Sequence, residues 1–548
     1  MANLLASFPP GVRDPASKED KNPAVQLFGR RFFSDQPPLE ILSEFLLVMT
    51  SRKKVGSVAI DSLFPSMDQL QDWSHHPSSL DYEPKAKLNL KLFAFLGSSR
   101  LETRHESHRQ HCEELWDALR THINSSDMEK DEALRILSNL FLGFWGTGAE
   151  RTWCAQTFLP FCSSVLTTES IWNATEARRQ RQSGSWEFVI EHFNEFYSVN
   201  KHRFLARGGE VIYLHICNAL RQDESTLQAW FKSRTVGGYA LADLLTREEQ
   251  DPVKLHAALQ AGFAKFFSQT PQTLDKLTDF IDTGVESQTS FSSDTNNGSP
   301  RTASCGWCPA ESWREGYLLA VELKRVLSAN IDVIETVDLL EVACAMHVMR
   351  SMAAQSFRAT AEVSSDGFDY RLLVSDDGGS NRRVKEFSRL TLNQVCRQIH
   401  AALRMPEIKD KLDQGDLQKI YKEADDRYGR RLYLRIGKSL GLIIPRRGAG
   451  IRVVLTDKIL RYLILSLVPG QRMTFDTFKR QMELHHGLVF EENALSACRG
   501  LSGETDLLES SEYADSHLEQ MLDASGVLVR LSDSCSLVRN PFCMEAQA

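Results

Sequence analysis

Ten cations stand between Arg427 and Arg461: Arg427, Arg430, Arg431, Arg435, Lys438, Arg446, Arg447, Arg452, Lys458 and Arg461, against one acid, Asp457. That window carries +9 in a chain whose formal net charge is -8, which leaves -17 for the rest. Guanidinium and ammonium groups at this density are suited to phosphate oxygens, where each neutralised phosphate releases bound counterions and makes affinity steeply salt-dependent. The residues expected to make such contacts are Arg430, Arg431, Arg435 and Lys438, followed by Arg446, Arg447 and Arg452. The competing expectation is a solvated face, or pairing with the acidic remainder of the chain or with an acidic partner protein. No base-reading set can be picked out, so phosphate contact is expected without sequence preference.

Other reactive types give weaker patterns. Cys305-Gly306-Trp307-Cys308 is the only C-x-x-C. Its spacing suits half a zinc site or a redox dithiol, yet no second C-x-x-C or C-x-x-H lies nearby, and a thioredoxin-like site needs a preceding strand. Zinc on Cys305 and Cys308, or a zinc- or thiol-dependent enzyme, therefore stands beside the expectation of inert thiols at a loop end. His105, His108, His111 and Cys112 crowd one segment; on a helix His108 and Cys112 share a face at metal-ligand spacing, although charged neighbours make it read as a solvated helix. His485-His486 before Gly487 fit a helix carboxy terminus, where the dipole favours histidine. Asp376-Asp377 and Asp425-Asp426 are acidic pairs of the kind that hold magnesium, without the acid-and-lysine spacing of a familiar nuclease core. There is no G-x-x-x-x-G-K-[ST], G-x-S-x-G or H-E-x-x-H, and no Rossmann glycine run after a strand. No catalytic residue is assigned, and a non-enzymatic role is expected.

The elements that would position the basic window read helix, glycine, strand, basic turn, strand, helix. Leu432 to Leu440 is a helix stopped by Gly441; Leu442 to Pro445 and Ile451 to Leu455 flank Arg446-Arg447-Gly448-Ala449-Gly450. The order returns near the carboxy terminus: a helix from His517 to Ala524, Gly526, Val527 to Leu531, a Ser532-Asp533-Ser534 turn, and Ser536 to Arg539. This second unit is acidic, with Glu504, Asp506, Glu509, Glu512, Asp515, Glu519 and Asp523 and no lysine or arginine between Ser502 and Ser525. Two winged-helix-like modules in tandem are expected, a basic one over 426–470 and an acidic one over 471–548.

Upstream, 1–284 reads as helical, with helices over Pro38 to Thr50, Met128 to Phe144, Trp186 to Tyr197, Glu210 to Leu220, Leu255 to Phe267 and Thr273 to Ile281, and an ambiguous Lys85 to Phe95. Arg207-Gly208-Gly209 reads as a tight reversal between helices. Residues 285–310 are dominated at first by serine, threonine, asparagine and glycine and are expected to form a flexible linker or insertion. Residues 311–425 should be helical, interrupted by a β-hairpin over 357–374 around Ser365-Asp366-Gly367. The fold class is thus mainly α with small β-hairpins, in several domains, as 548 residues exceed what one core usually supports.

Composition is that of ordinary globular protein, 42% hydrophobic and 25% charged, so any nucleic-acid contact must be local. No run approaches the roughly 18 apolar residues of a membrane span, and the amino terminus does not read as a secretory signal. Eleven cysteines, mostly single and in apolar contexts, suit reduced thiols and a cytoplasmic location.

The carboxy-terminal stretches LYLRIGKSLGLIIPRRGAGIRVVLTDKILRYLILSLVPG and LEQMLDASGVLVRLSDSCSLVRNPF resemble accessory subunits of bacterial anti-phage defence systems such as the B component of Druantia, over about the last quarter of the chain. The resemblance implies work beside other subunits, a large helicase-type one among them, in antiviral defence. It carries no family catalytic residues. The remaining expectation is a protein-interaction scaffold without direct DNA contact.

Overall fold

The structure is a computed structural model. It describes residues 6–13, 21–29, 36–73, 75–83, 106–122, 208–280, 303–360, 370–376, 382–409, 417–490, 513–532 and 535–543, with shorter pieces at 32 and between 129 and 198. Helices dominate, accompanied by small sheets of two to four strands. No helix among the described residues is long and apolar enough to cross a membrane.

Helix α1 (Pro38–Thr50) begins on proline, whose fixed φ suits a first helical position, and covers the periodicity read from the sequence. Helix α2 (Gly208–Leu220) is buried at all thirteen of its positions. Gly208 and Gly209 open this helix and do not form the expected reversal: the α1 backbone passes directly against Gly209, and the Gln36, Phe32 and Ile41 side chains crowd Gly208. A Cβ on Gly209 would stand 2.3 Å from the Phe45 amide nitrogen on α1. After α3 (Pro252–Phe267), α4 (Trp313–Ser328) lies against the other side of α2, and a Cβ on Gly316 would meet the His215 carbonyl oxygen at 2.2 Å. A packed core does not absorb such an intrusion. Gly316→Ala is therefore expected to cost at least about 1–3 kcal/mol by forcing α2 and α4 apart, whereas Gly470→Ala, with open space around it, should leave the melting temperature unchanged. Circular-dichroism melts of the two variants check this.

Next comes α5 (Val333–Thr360), 28 residues long and buried through its middle. Phe357 to Thr360 continue this helix instead of opening the hairpin expected over 357–374, whose turn Ser365-Asp366-Gly367 lies outside the described residues; the helix end is fastened where both Arg358 terminal nitrogens donate to the buried Glu315 carboxylate at 2.9 and 2.7 Å. The strand that follows, Leu372–Leu373, pairs in parallel with Leu488–Val489, more than a hundred residues away. Short-range alternation cannot reveal a long-range partner of that kind.

The amino-terminal strands β1 (Ser7–Phe8), β2 (Arg52–Val55), β3 (Val58–Ile60) and β4 (Leu80–Glu83) are joined by β5 (Ala303–Ser304) and β6 (Cys308–Pro309). The four-stranded sheet runs β3-β2-β4-β5, and β1 pairs with β6, all antiparallel. The linker expected over 285–310 consequently stops short: residues 281–302 lie outside the described part, while Ala303 to Pro309 is core, with the Cys305 amide donating to the Leu80 carbonyl at 2.9 Å. Burial of Cys305, Trp307 and Cys308 explains the change, since these apolar side chains follow immediately on the polar stretch. Lys85 to Phe95 and most of Met128 to Phe144 and Trp186 to Tyr197 also lie outside the described residues. Buried side chains from Phe8 to Val538 form one connected core.

The remainder includes α6 (Arg382–Ala402), α7 (Arg430–Leu440), α8 (Asp457–Leu467), α9 (Phe475–His486) and α10 (Tyr513–Ala524). Interleaved are the hairpin strands β7 (Ile443–Ile444) and β8 (Arg452–Val453), then β9 (Arg472–Thr474), β10 (Leu528–Ser532) and β11 (Cys535–Arg539). The last three form an antiparallel sheet in the order β9-β11-β10. Among the described residues the order from α8 to β11 is helix, strand, helix, the strand Leu488–Val489, helix, strand, strand.

Candidate nucleic-acid interface

Helix α7 stops at Gly441, whose φ of +78° is the left-handed conformation glycine adopts without strain. The chain then enters β7, and β7 pairs with β8 at Ile443–Val453 and Ile444–Arg452. Leu432, Tyr433 and Ile436 turn one face of α7 into the core. The opposite face carries Arg431, Arg435 and Lys438, four and three residues apart, with Leu434 between them. Together with Ser439, Arg446 and Arg447 these residues line an open cleft of about 890 Å3 between the helix and the hairpin turn. Five of its seven lining residues are cations and none is an acid.

The fold sorts the ten cations of the window. Arg427 pairs with Glu423 at 3.7 Å on its own helical segment. Lys458 on α8 sits 3.2 Å from both Asp338 and Glu341 on α5, and these acids outweigh burial to hold its ammonium above the ordinary lysine range. Arg461 pairs with Glu335 and lies over the Phe542 ring. Lys458 and Arg461 thereby fasten α8 to its neighbours. Arg430, Arg431, Arg435, Arg446 and Arg447 are exposed, and Lys438 is half-buried. Arg430 reaches the thiol of Cys396, which burial pushes up to about 11 against the pull of that arginine. Arg452 belongs to strand β8 and is half-buried, so it stands at the base of the hairpin, away from the cleft lining.

Sequence reading expected helix within 311–425 but did not place one behind the hairpin. Ser388 on α6 accepts from the Val453 amide at 2.9 Å, and its hydroxyl lies 3.4 Å from the Val453 carbonyl. That contact brings the exposed Arg382, Arg383 and Arg389 and the half-buried Lys385 within two turns of β8. The basic run Arg382-Arg383-Val384-Lys385 was the available signal, but only the fold places it beside the window.

The other candidates do not assemble. Cys305 and Cys308 are both buried, and burial pushes the Cys308 thiol up to about 12 against a hydrogen bond from Ser312. Among the described residues no group of three or more histidine, cysteine or acidic side chains is placed to hold a metal. Buried protonated thiols are also poor nucleophiles. Cys112 faces the core, while His111 is exposed beside Glu114 at 3.8 Å; the His108 side chain lies outside the described part. Asp425 is held by both Arg404 terminal nitrogens at 3.2 and 2.6 Å, and Asp426 stays exposed. In the second unit Glu519 and Asp523 lie on α10, and Val529 and Leu531 on β10 are exposed at 41% and 60%. The acids from Glu504 to Glu512 lie outside the described residues.

Beneath α7, α5 contributes to a buried polar network that no local pattern announces. Arg350 donates to Glu322 at 2.6 and 3.2 Å, and Tyr462 of α8 donates to the same carboxylate at 2.8 Å. From the end of α9, His485 Nδ1 lies 2.8 Å and His486 Nε2 3.5 Å from Glu322 Oε1. Arg350 also contacts His347 Nδ1 at 3.3 Å, and His347 Nε2 lies 2.9 Å from His215 Nδ1 on α2. Arginine can only donate, so His347 accepts at Nδ1 and carries its proton on Nε2, which it gives to His215. Both rings are then neutral, in keeping with burial driving their pKa values down. His485 and His486 do end a helix at Gly487, as expected, but their partner is this network.

In comparisons with protein-family models, curated proteins and solved structures, the chain matches none.

Proposed function

We propose that this chain is a non-enzymatic accessory subunit of a bacterial anti-phage defence or DNA-processing complex, holding nucleic-acid phosphates in the cleft between α7 and the β7–β8 hairpin. One observation carries the reading: five cations line a single open cleft with no acid among its lining. Helix, left-handed glycine and hairpin are the parts with which a winged helix meets a phosphate backbone, and the β9-β11-β10 sheet beside α9 and α10 supports reading a second such module there. The defence setting, and partners such as a helicase-type subunit, rest on the carboxy-terminal resemblance.

The test is fluorescence anisotropy of labelled nucleic acid at two salt concentrations. Arg446→Ala/Arg447→Ala should weaken binding and reduce the slope of log affinity against log salt by roughly 1.8, about 0.9 per lost phosphate contact. If the double variant binds like the parent, the cleft is not the contact.

A scaffold role is the second reading, and the exposed Val529 and Leu531 beside Glu519 and Asp523 favour it for the carboxy-terminal unit. Apolar side chains on an outer strand suit packing against a partner protein. A chain acting only as a scaffold would ignore nucleic acid and co-purify stoichiometrically with another subunit.

A further inference from the structure

Helix α6 repeats the cation spacing of α7. Arg431, Arg435 and Lys438 stand on one face of α7; Arg382, Lys385 and Arg389 stand three and four apart on one face of α6. Both rows span seven residues, about 10 Å at the helical rise. They reach the hairpin through different strands: α7 runs through Gly441 into β7, whereas α6 is fixed to β8 by the Ser388–Val453 hydrogen bonds. The acid nearest the α6 row in sequence, Glu386, lies 3.5 Å from Arg389, and both are half-exposed. A pair so placed is weak and is displaced readily by another anion.

We infer that the α6 row is a second phosphate contact and that the ligand is a nucleic-acid duplex, with a phosphate track for each row. This rests on the reading of the cleft as a phosphate site. A row of about 10 Å matches about three phosphates along one strand of a duplex, where their spacing is fixed by base pairing. A single strand offers no fixed track and is usually held by stacking its bases on exposed aromatic rings. The cleft supplies no such platform, since no aromatic side chain is among its lining residues.

The experiment measures anisotropy of the full chain with a duplex of about two helical turns and with one of its strands alone, between about 50 and 200 mM salt. The parent should prefer the duplex. Arg382→Gln/Lys385→Gln/Arg389→Gln, with its circular dichroism unchanged, should bind the duplex on the order of 100-fold more weakly and lose about 2.7 from the salt slope. If this triple variant equals the parent while Arg446→Ala/Arg447→Ala is impaired, α6 makes no contact and the inference fails with the proposed function intact. Equal or tighter binding of the single strand overturns the duplex assignment. Failure of the parent to bind either ligand overturns the phosphate reading itself.

Discussion

Glu322→Gln is expected to destabilise the protein by about 3–5 kcal/mol, because it leaves the Arg350 guanidinium charged in the core without its counter-ion. Glu322 is fully buried and accepts from Arg350, Tyr462 and His485, so three helices lose a common anchor in one substitution. Glutamine keeps the volume and part of the hydrogen bonding, which isolates the charge as the cause. A total stability of roughly 5–15 kcal/mol is usual for a folded protein, so the loss is a large share. Glu322→Leu/Arg350→Met should recover much of it, since removing both charges also removes their desolvation cost. Thermal and denaturant unfolding of the three proteins decide the matter. A single variant as stable as the parent would mean that the network contributes no net electrostatic stability.

Acid should act on the same interior. Burial holds His215 at about 3, with Arg358 and Arg350 adding to the effect, and His486 likewise at about 3. Burial also carries His347 well below the ordinary 6.5 and lowers His485, although Glu322 opposes it there. A histidine whose folded pKa is depressed takes its proton first in the unfolded chain. Its stabilising contribution is complete above the unfolded value near 6.5 and is lost as pH falls toward the folded value. Each proton is worth about 1.4 kcal/mol per pH unit across that window, so His215 and His486 alone remove roughly 3 kcal/mol per unit. Glu249 adds a later loss. Burial pushes its carboxyl up, but Arg325 at 2.8 and 2.7 Å and Lys324 at 3.2 Å prevail and hold it at about 2. That contribution persists above the ordinary 4.5 and disappears as pH falls toward about 2. The melting temperature should therefore drop steeply between pH 6.5 and 4, read by calorimetry at fixed ionic strength. A flat profile across that range would show that the four histidines are already charged or exposed.

Legibility depended on the distance over which each feature is decided. Pro38 to Thr50 matched its helix because helical periodicity and a leading proline are local. Leu432 to Leu440 and its Gly441 stop were legible for the same reason, as was the turn bearing Arg446 and Arg447. Phe357 to Val374 misled because a few alternating residues also fit the end of a long helix, and the true partner of Leu372–Leu373 is Leu488–Val489. Gly208-Gly209 suggested a turn because a glycine pair permits one, yet the pair serves the close approach of α1.

The sequence by itself determined the helical character of the chain, the charge concentrated over Arg427 to Arg461, and the helix–glycine–hairpin order on which that charge sits. Tertiary structure alone decided which cations share one cleft. Arg427, Lys458 and Arg461 go to Glu423, Asp338, Glu341 and Glu335, while Arg431, Arg435, Lys438, Arg446 and Arg447 line one cleft. It also decided that Arg382, Lys385 and Arg389 belong beside them, and that Glu322, Arg350 and four histidines meet in one core. The physical reason is that periodicity and turn chemistry act over a few residues, whereas pairing and burial of charge depend on helices brought together from distant parts of the chain.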